Sequence, residues 1–440
     1  MGVSFLPIRF LGSMNSTGEQ EQSQAPHEPA EAMLSQAVSL SSQPSLPSLP
    51  SLGPRDTDVS PSLHQCVATL RGGRSSYVSA LALAGDSLYA ASSDGRIRAW
   101  PLDDVARRRP DEQHGDDGSC SAGAGAGAVV AECNSSVKCL LAAGNGLLLS
   151  SHQDGKIMAW RVGRRKDGSR RLVPRAVLPT AADRLRACLL PWSYVEVRRH
   201  RRRTWVHHMD AVTALAVSPD GALLYSASWD RSVKVWRLPG FRCVESVAAA
   251  HDDAINAVVV APDGDVYTGS ADKRIKQWRR RPEQKNKHVV VATMERHRSA
   301  VNALALGAGG TVLYSGACDR SVVVWERGAA GRMEATGTLR GHAKAILCLA
   351  AAGDVVCSGS ADRTVRVWRR GAGGAGYTCL AVLDGHGAAV KSLALVCGRD
   401  GGGEDGSSSG GGSALVCGGG LDGDVKIWSV IVLACLEDNP

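Results

Sequence analysis

The sequence has 440 residues, 44% hydrophobic and 21% charged, with 51 Lys and Arg against 43 Asp and Glu. Those are globular proportions, and the length suits one large domain or two to three ordinary ones. No apolar run approaches the ~18 residues that cross a bilayer, so no membrane partner is expected and the chain reads as soluble and intracellular.

Trp supplies 10 of the aromatic residues against 7 Tyr and 3 Phe, which points to a repeated structural position. Fifty Gly imply many turns, as an all-β fold of short strands requires. Thirteen Cys are present without a C-x-x-C pair. Cys66, Cys243 and Cys379 recur at one repeat position, and Cys139 and Cys348 at another. They read as small hydrophobes packed in a reducing compartment, with no metal or other cofactor expected.

Residues 1–63 are rich in Ser, Pro, Gln and Glu, and the run Ser45-Leu46-Pro47-Ser48-Leu49-Pro50-Ser51-Leu52 is low-complexity. Pro at every third position argues against regular strand pairing, so this segment is expected to be a disordered tail, either a docking or phosphorylation tail or a plain linker.

From residue 64 the chain repeats itself. Trp100, Trp160, Trp236, Trp278, Trp325, Trp368 and Trp428 each close a short strand. Six residues before each stands Asp94, Asp154, Asp230, Asp272, Asp319, Asp362 or Asp422. Three residues before each stands Ile97, Ile157, Val233, Ile275, Val322, Val365 or Val425. The Asp, followed by Gly or a basic residue, suits a tight hairpin turn. An apolar strand lies upstream, as in Val212–Val217, and before it a loop with His208, His251, His297, His342 or His386. The spacing fits the ~40–45 residues of a four-stranded propeller blade. Seven copies predict an all-β, seven-bladed β-propeller over 64–431, with a C-terminal tail at 432–440. The span exceeds seven minimal blades, and the surplus is assigned to insertions at 101–128, 161–206 and 398–413.

This pattern resembles the WD40 repeats, with Gly341-His342 and Gly385-His386 matching the family's loop dipeptide, although the Asp that commonly follows the Trp is absent throughout. The resemblance implies that a strand Ser accepts the buried indole N–H, the loop His bonds that Ser, and the turn Asp bonds the His. On that basis the full sets are His208, Ser228, Asp230 and Trp236 in blade three; His251, Ser270, Asp272 and Trp278 in blade four; and His342, Ser360, Asp362 and Trp368 in blade six. Ala317 and Gly420 stand where blades five and seven should have Ser, and Gly73 and Asn134 where blades one and two should have His. Blades one, two and seven are therefore expected to be the labile part of the ring. Recurrence of the constellation, each time ending on a Trp, argues for a structural role over a catalytic triad. No catalytic residue is expected. His64–Leu70 is expected to complete blade seven as its outer strand, with 431–436 as a competitor for that edge.

The candidate partner surface is the channel mouth. Trp229, in an exposed register before the turn, is a candidate anchor, with Asp210, Asp253, Arg231, Lys273, Arg320, Lys344 and Arg363 around it. The stretch 161–203 carries fourteen Lys and Arg against three acids. Its Arg198, Arg199, Arg201, Arg202 and Arg203 suit an acidic partner, nuclear import or nucleic acid. Three stretches narrow the likeness: Tyr194-Val195-Glu196-Val197-Arg198-Arg199-His200, Trp205-Val206-His207-His208-Met209-Asp210-Ala211-Val212 and Ala250-His251-Asp252-Asp253-Ala254-Ile255-Asn256-Ala257. They resemble the plant JINGUBANG-like WD40 proteins, which implies a non-catalytic regulatory scaffold in cytoplasm and nucleus, acting on transcription or development through protein partners. Two other readings stay open: a substrate receptor of a cullin-type ubiquitin ligase, and nucleic-acid binding through the basic insert. The sequence leaves the oligomeric state open.

Overall fold

The computed structural model describes residues 49–52, 64–72, 76–102, 127–164, 170–188, 194–198, 201–284, 286–371, 376–397 and 411–433. The first strand, β1 (His64–Arg71), is set aside for the last blade. Blade one is β2 (Val78–Ala84), β3 (Ser87–Ser92), β4 (Arg96–Pro101) and β5 (Ala128–Glu132). Blade two is β6 (Val137–Ala142), β7 (Leu147–His152), β8 (Ile157–Arg164) and β9 (Arg170–Leu178). A short helix α1 (Ala181–Cys188) and a separate hairpin, β10 (Tyr194–Arg198) with β11 (Arg201–Thr204), follow.

Blade three is β12 (Val212–Val217), β13 (Leu223–Ser228), β14 (Val233–Arg237) and β15 (Arg242–Val247). Blade four is β16 (Ile255–Val260), β17 (Val266–Ser270), β18 (Arg274–Arg281) and β19 (Lys287–Glu295). Blade five is β20 (Val301–Gly307), β21 (Val312–Ala317), β22 (Val322–Arg327) and β23 (Met333–Leu339). Blade six is β24 (Ile346–Ala352), β25 (Val355–Ser360), β26 (Val365–Arg370) and β27 (Tyr377–Leu383). Blade seven runs β28 (Val390–Cys397), β29 (Gly411–Gly420), β30 (Asp424–Leu433) and then β1.

The result is a seven-bladed propeller, and the repeated offsets have a packing cause. Each blade interface holds one hydrophobic cluster, and each cluster joins the Trp of one blade to the β-branched residue of the blade before it. Ile157 meets Trp236, Val233 meets Trp278, Ile275 meets Trp325, Val322 meets Trp368 and Val365 meets Trp428. Val425 with Trp100 and Ile97 with Trp160 complete the circle. All seven indoles are between 1% and 6% exposed, so neither residue type tolerates a polar substitute. The Cys at the shared repeat position lies across from the indole, at Cys66–Trp428, Trp236–Cys243 and Trp368–Cys379. Burial pushes the Cys243 thiol up to about 12, which keeps it protonated and inert.

Strand β1 pairs with β30 from His64–Val430 to Arg71–Asp424, so the start of the repeat region takes the open edge of blade seven and removes it. Residues 431–433 prolong β30 against Gly411–Ser413 instead; 434–436 lie outside the described residues.

One expectation needs correction. The stretch 161–206 is not wholly an insertion: Arg170–Leu178 pairs with Ile157–Arg164 as the outer strand of blade two, because Leu172 and Leu178 alternate into the core. Of the segment 1–63, residues 49–52 lie on the rim with backbone bonds to Thr338 and Tyr377. Residues 1–48 and 53–63, 103–126 of the first insertion, and 398–410 of the third lie outside the described residues.

Candidate functional site

The buried Trp, hydroxyl, His and Asp form a directional chain, and its hydroxyl is two residues earlier than the family pattern suggested. In blade three Trp236 Nε1 donates to Ser226 Oγ at 2.9 Å, Ser226 faces His208 Nε2 at 2.8 Å, and His208 Nδ1 faces Asp230 Oδ2 at 3.2 Å. Blade four uses Thr268, with Trp278 Nε1 at 2.9 Å and His251 Nε2 at 2.7 Å. Blade six uses Ser358, with Trp368 Nε1 at 3.0 Å and His342 Nε2 at 2.9 Å. Register decides: Leu224 lies opposite Trp236, so the next same-face residue, Ser226, sits diagonal to the indole.

Ser228, Ser270 and Ser360 do other work. Each accepts the N–H of the turn Asp at 3.1 Å and donates to the carbonyl of Asp210, Asp253 or Lys344, tying the turn to the loop before the inner strand.

The carboxylate beside Nδ1 fixes the neutral ring as the Nδ1–H tautomer, leaving Nε2 to accept the hydroxyl proton. Burial alone would raise the Asp230 carboxyl, but the His208 bond and charge, Ser232 and the Met209 N–H hold it well below the usual range. The same balance brings Asp319 down to about 2. Burial pushes the His208 imidazole below its ordinary value despite Asp230.

Two further blades correct the expected gaps. Blade five is complete, because Ser315 rather than position 317 accepts Trp325 Nε1 at 2.8 Å and meets His297 at 2.7 Å. Blade two finds its His elsewhere: His152, at the end of β7, meets Ser150 Oγ at 2.9 Å, and Ser150 accepts Trp160 Nε1 at 2.8 Å. Blade one has Ala90 in the hydroxyl slot, and among the described residues the buried Trp100 indole N–H has no partner. Blade seven has Gly418 there, so His386 Nε2 turns to the Gly418 carbonyl at 3.2 Å, with its ring 5.6 Å from Trp428.

These chains orient the mouth. Every inner strand carries a bulge at the same point, which leaves Ser79, Lys138, Thr213, Asn256, Asn302, Leu347 and Lys391 without a ladder partner. Their interactions cross blades. The Lys391 charge of blade seven reaches both Cys318 of blade five and Lys138 of blade two. Burial first, then the Lys391 charge, pushes the Lys138 amine below its ordinary value. Thr213 Oγ1 donates to the Ile255 carbonyl at 2.6 Å, Asn256 to Val301 at 3.0 Å and Asn302 to Ile346 at 2.8 Å, stitching blades three to six in sequence.

Trp229 is half-buried rather than free. Its Nε1 donates to Asn256 Oδ1 at 3.2 Å and Lys138 Nζ lies 5.5 Å from the ring, so the indole is held between the neighbouring blades four and two. Asp210 and Asp253 are exposed but bond the backbone N–H of the next residue at 2.7 Å. Lys344 is exposed beside the blade-six turn. Arg198, Arg201, Arg202 and Arg203 lie on the backbone of the β10–β11 hairpin, apart from the seven blades; Arg199 lies outside the described residues.

Sequence reading missed one regularity. The residue after every turn Asp has positive φ, and blades one, two and seven put Gly there, at 95, 155 and 423. Blades three to six put Arg231, Lys273, Arg320 and Arg363 there, at φ of 65°, 72°, 69° and 75°. Bulky residues hold that conformation at a cost of ~1–3 kcal/mol each, a strain that gathers at functional sites. Arg231, Arg320 and Arg363 are exposed and Lys273 is half-exposed, so four successive blades carry a basic crown. The Asp-basic dipeptides were visible in the sequence; the sign of φ was the missing signal.

Among the described residues no three His, Cys, Asp or Glu groups converge as a metal site, and no helix is long and apolar enough to cross a membrane.

A blade with this indole–hydroxyl–imidazole–carboxylate chain belongs to the WD40 class, and the WD domain, G-beta repeat family matches residues 64–101, 199–237, 242–279, 288–326 and 333–369. The chain therefore carries WD40 repeats. The matches from 242 to 369 each begin on the outer strand of one blade and end on the third strand of the next, so neighbouring blades interlock. A 53-residue stretch is 47% identical to Striatin-4 of Homo sapiens, covering 11% of this chain and 7% of that protein. Over 44 residues the identity to Striatin-3 of Rattus norvegicus is 48%, covering 10% and 6%. A longer stretch, 119 residues, is 24% identical to Pre-mRNA-processing factor 19 of Bos taurus, covering 27% and 23%. The chain spans less than a quarter of the length of these relatives.

Proposed function

We propose that the chain is a non-catalytic protein-interaction scaffold whose channel mouth receives an acidic segment of a partner across blades three to six. The observation that carries this is the crown of Arg231, Lys273, Arg320 and Arg363, held in a conformation that glycine would satisfy more cheaply. Lys344 adds charge beside it. The finer reading is a plant regulatory WD40 protein, similar to the JINGUBANG-like family, working in cytoplasm and nucleus with regulators of transcription.

The test replaces all four crown residues by Gly, which removes charge and relieves strain together. Proximity labelling in plant cells should lose the acidic partners while the purified variant melts no lower than wild type. An unchanged partner set in a folded variant removes the crown as the docking surface.

The basic β10–β11 hairpin supports a second reading, binding of nucleic acid. That reading requires affinity falling steeply with salt and lost on neutralising Arg198 to Arg203. The ubiquitin-ligase alternative has weaker support. Such receptors pair an acid after the Trp with a basic residue two further on, and Trp325-Glu326 is followed by Gly328. Adaptor-free pull-downs would close it.

A further inference from the structure

Outer strands β23 and β27 leave one edge each unpaired within their blades, and on the first lies a piece of the N-terminal segment. Leu52 N–H donates to the Thr338 carbonyl at 2.9 Å, and Thr338 N–H donates to the Pro50 carbonyl at 3.0 Å. Ser51 thereby forms a parallel bridge with Thr338, adding a short strand to blade five. Tyr377 N–H then donates to the Leu52 carbonyl at 2.9 Å, so the segment spans from blade five to blade six.

The two leucines are read by separate pockets. Leu49 packs against the cluster between blades four and five that contains Trp325 and Met333. Leu52 packs against the cluster between blades five and six that contains Leu339 and Tyr377. Its pocket exists because residue 337 is Gly: a Cβ there would overlap the Leu52 side chain.

Proline suits this register. The bonds use the carbonyl of residue 50 and the N–H of residue 52, so the missing N–H of Pro50 is not needed. Residues 45–52 repeat Ser-Leu-Pro with a period of three. A shift of three places Leu46, Pro47 and Leu49 in the same slots. A shift of two instead puts a Pro where an N–H donor is required. The groove therefore selects a pattern, Leu-Pro-Ser-Leu, rather than a single position in the chain.

We propose that the rim groove along the outer strand of blade five, reaching its boundaries with blades four and six, is a recognition site for extended Leu-Pro-Ser-Leu segments, held in cis by residues 49–52 and open to a partner segment of the same chemistry when the tail releases. It lies on the outer edge of the ring, and it stands whether or not the mouth binds acidic partners.

The test uses a fluorescein-labelled peptide of residues 45–52 and the full chain. The variant Leu46→Asp, Leu49→Asp, Leu52→Asp empties the groove and should bind the peptide about tenfold or more tighter than wild type, whose own segment competes at high effective concentration. Adding Gly337→Val to that variant should abolish binding, as should Asp in place of the peptide's own leucines, a control that leaves the protein untouched. In wild type, excess peptide should speed proteolysis at residues 49–53. A triple variant that melts normally yet takes up no peptide overturns the proposal, as does equal binding of the Leu and Asp peptides.

Discussion

Blades three to six and the pair formed by blades seven and one share one pattern but are finished differently. The first group has a complete chain from indole to carboxylate in every blade and side-chain bonds that run from each inner strand to the next. In the second group Ala90 and Gly418 break the chain, the Trp100 N–H finds no partner among the described residues, and closure depends on β1. The basic crown sits on the first group only. Four rigid successive blades can hold a partner surface still, while the seam of the ring carries the missing bonds.

The largest expected contrast is between equivalent turn carboxylates. Asp230→Ala strands the N–H of a buried neutral His and the Met209 N–H, and should cost ~1–3 kcal/mol for each donor left unsatisfied. Asp94→Ala removes bonds to Arg96 at a site whose side chain is 30% exposed, and should cost less than ~1 kcal/mol. Thermal melts of the two variants measure the difference.

Acid should act through the same turn carboxylates. Asp319, at about 2 when folded and near 3.8 otherwise, adds ~2–3 kcal/mol that is present above pH ~4 and lost as pH falls toward 2. His208, held neutral by burial, acts in the same direction: its contribution is intact above the usual imidazole range and declines below it. Hydrogen-exchange protection in blades three to five, measured against the intrinsic rate at each pH, should therefore fall on acidification.

Trp236→Phe should cost ~1–3 kcal/mol, because a bonded donor is lost. Trp100→Phe deletes a donor with no partner among the described residues and should change stability by less than ~1 kcal/mol. Ala90→Ser, which supplies the missing acceptor, should stabilise blade one by ~1 kcal/mol, read as slower exchange in β4. The smallest effect belongs to the crown: each change of Arg231, Arg320 or Arg363 to Gly should raise stability by a few tenths to ~1 kcal/mol in a melt.

The architecture was legible because Trp, Asp and the β-branched residue are each fixed by a different constraint: the cluster between blades, the turn, and the preceding blade's share of the same cluster. The hydroxyl was not, because Ser226 and Ser228 share a strand face and only pairing to Leu224 and Trp236 separates them. Blade two looked incomplete because its His comes from the strand bearing the Ser, not from the loop. The rim segment escaped because proline was read as forbidding pairing, when only its donor is missing. Trp229 looked exposed because strand alternation says nothing about a neighbouring blade's Asn256 reaching over.

The pairing of residues 64–71 with 424–430 also sets an order of events in the cell. The edge strand leaves the ribosome long before its mate, and at ~5–20 residues per second the wait is on the order of tens of seconds. Throughout that interval Ala68 and Leu70 have no blade to enter, so the nascent chain must be kept from premature pairing with other exposed edges. Chains cut short before residue 424 would stay open at both ends and be drawn into aggregates or degraded.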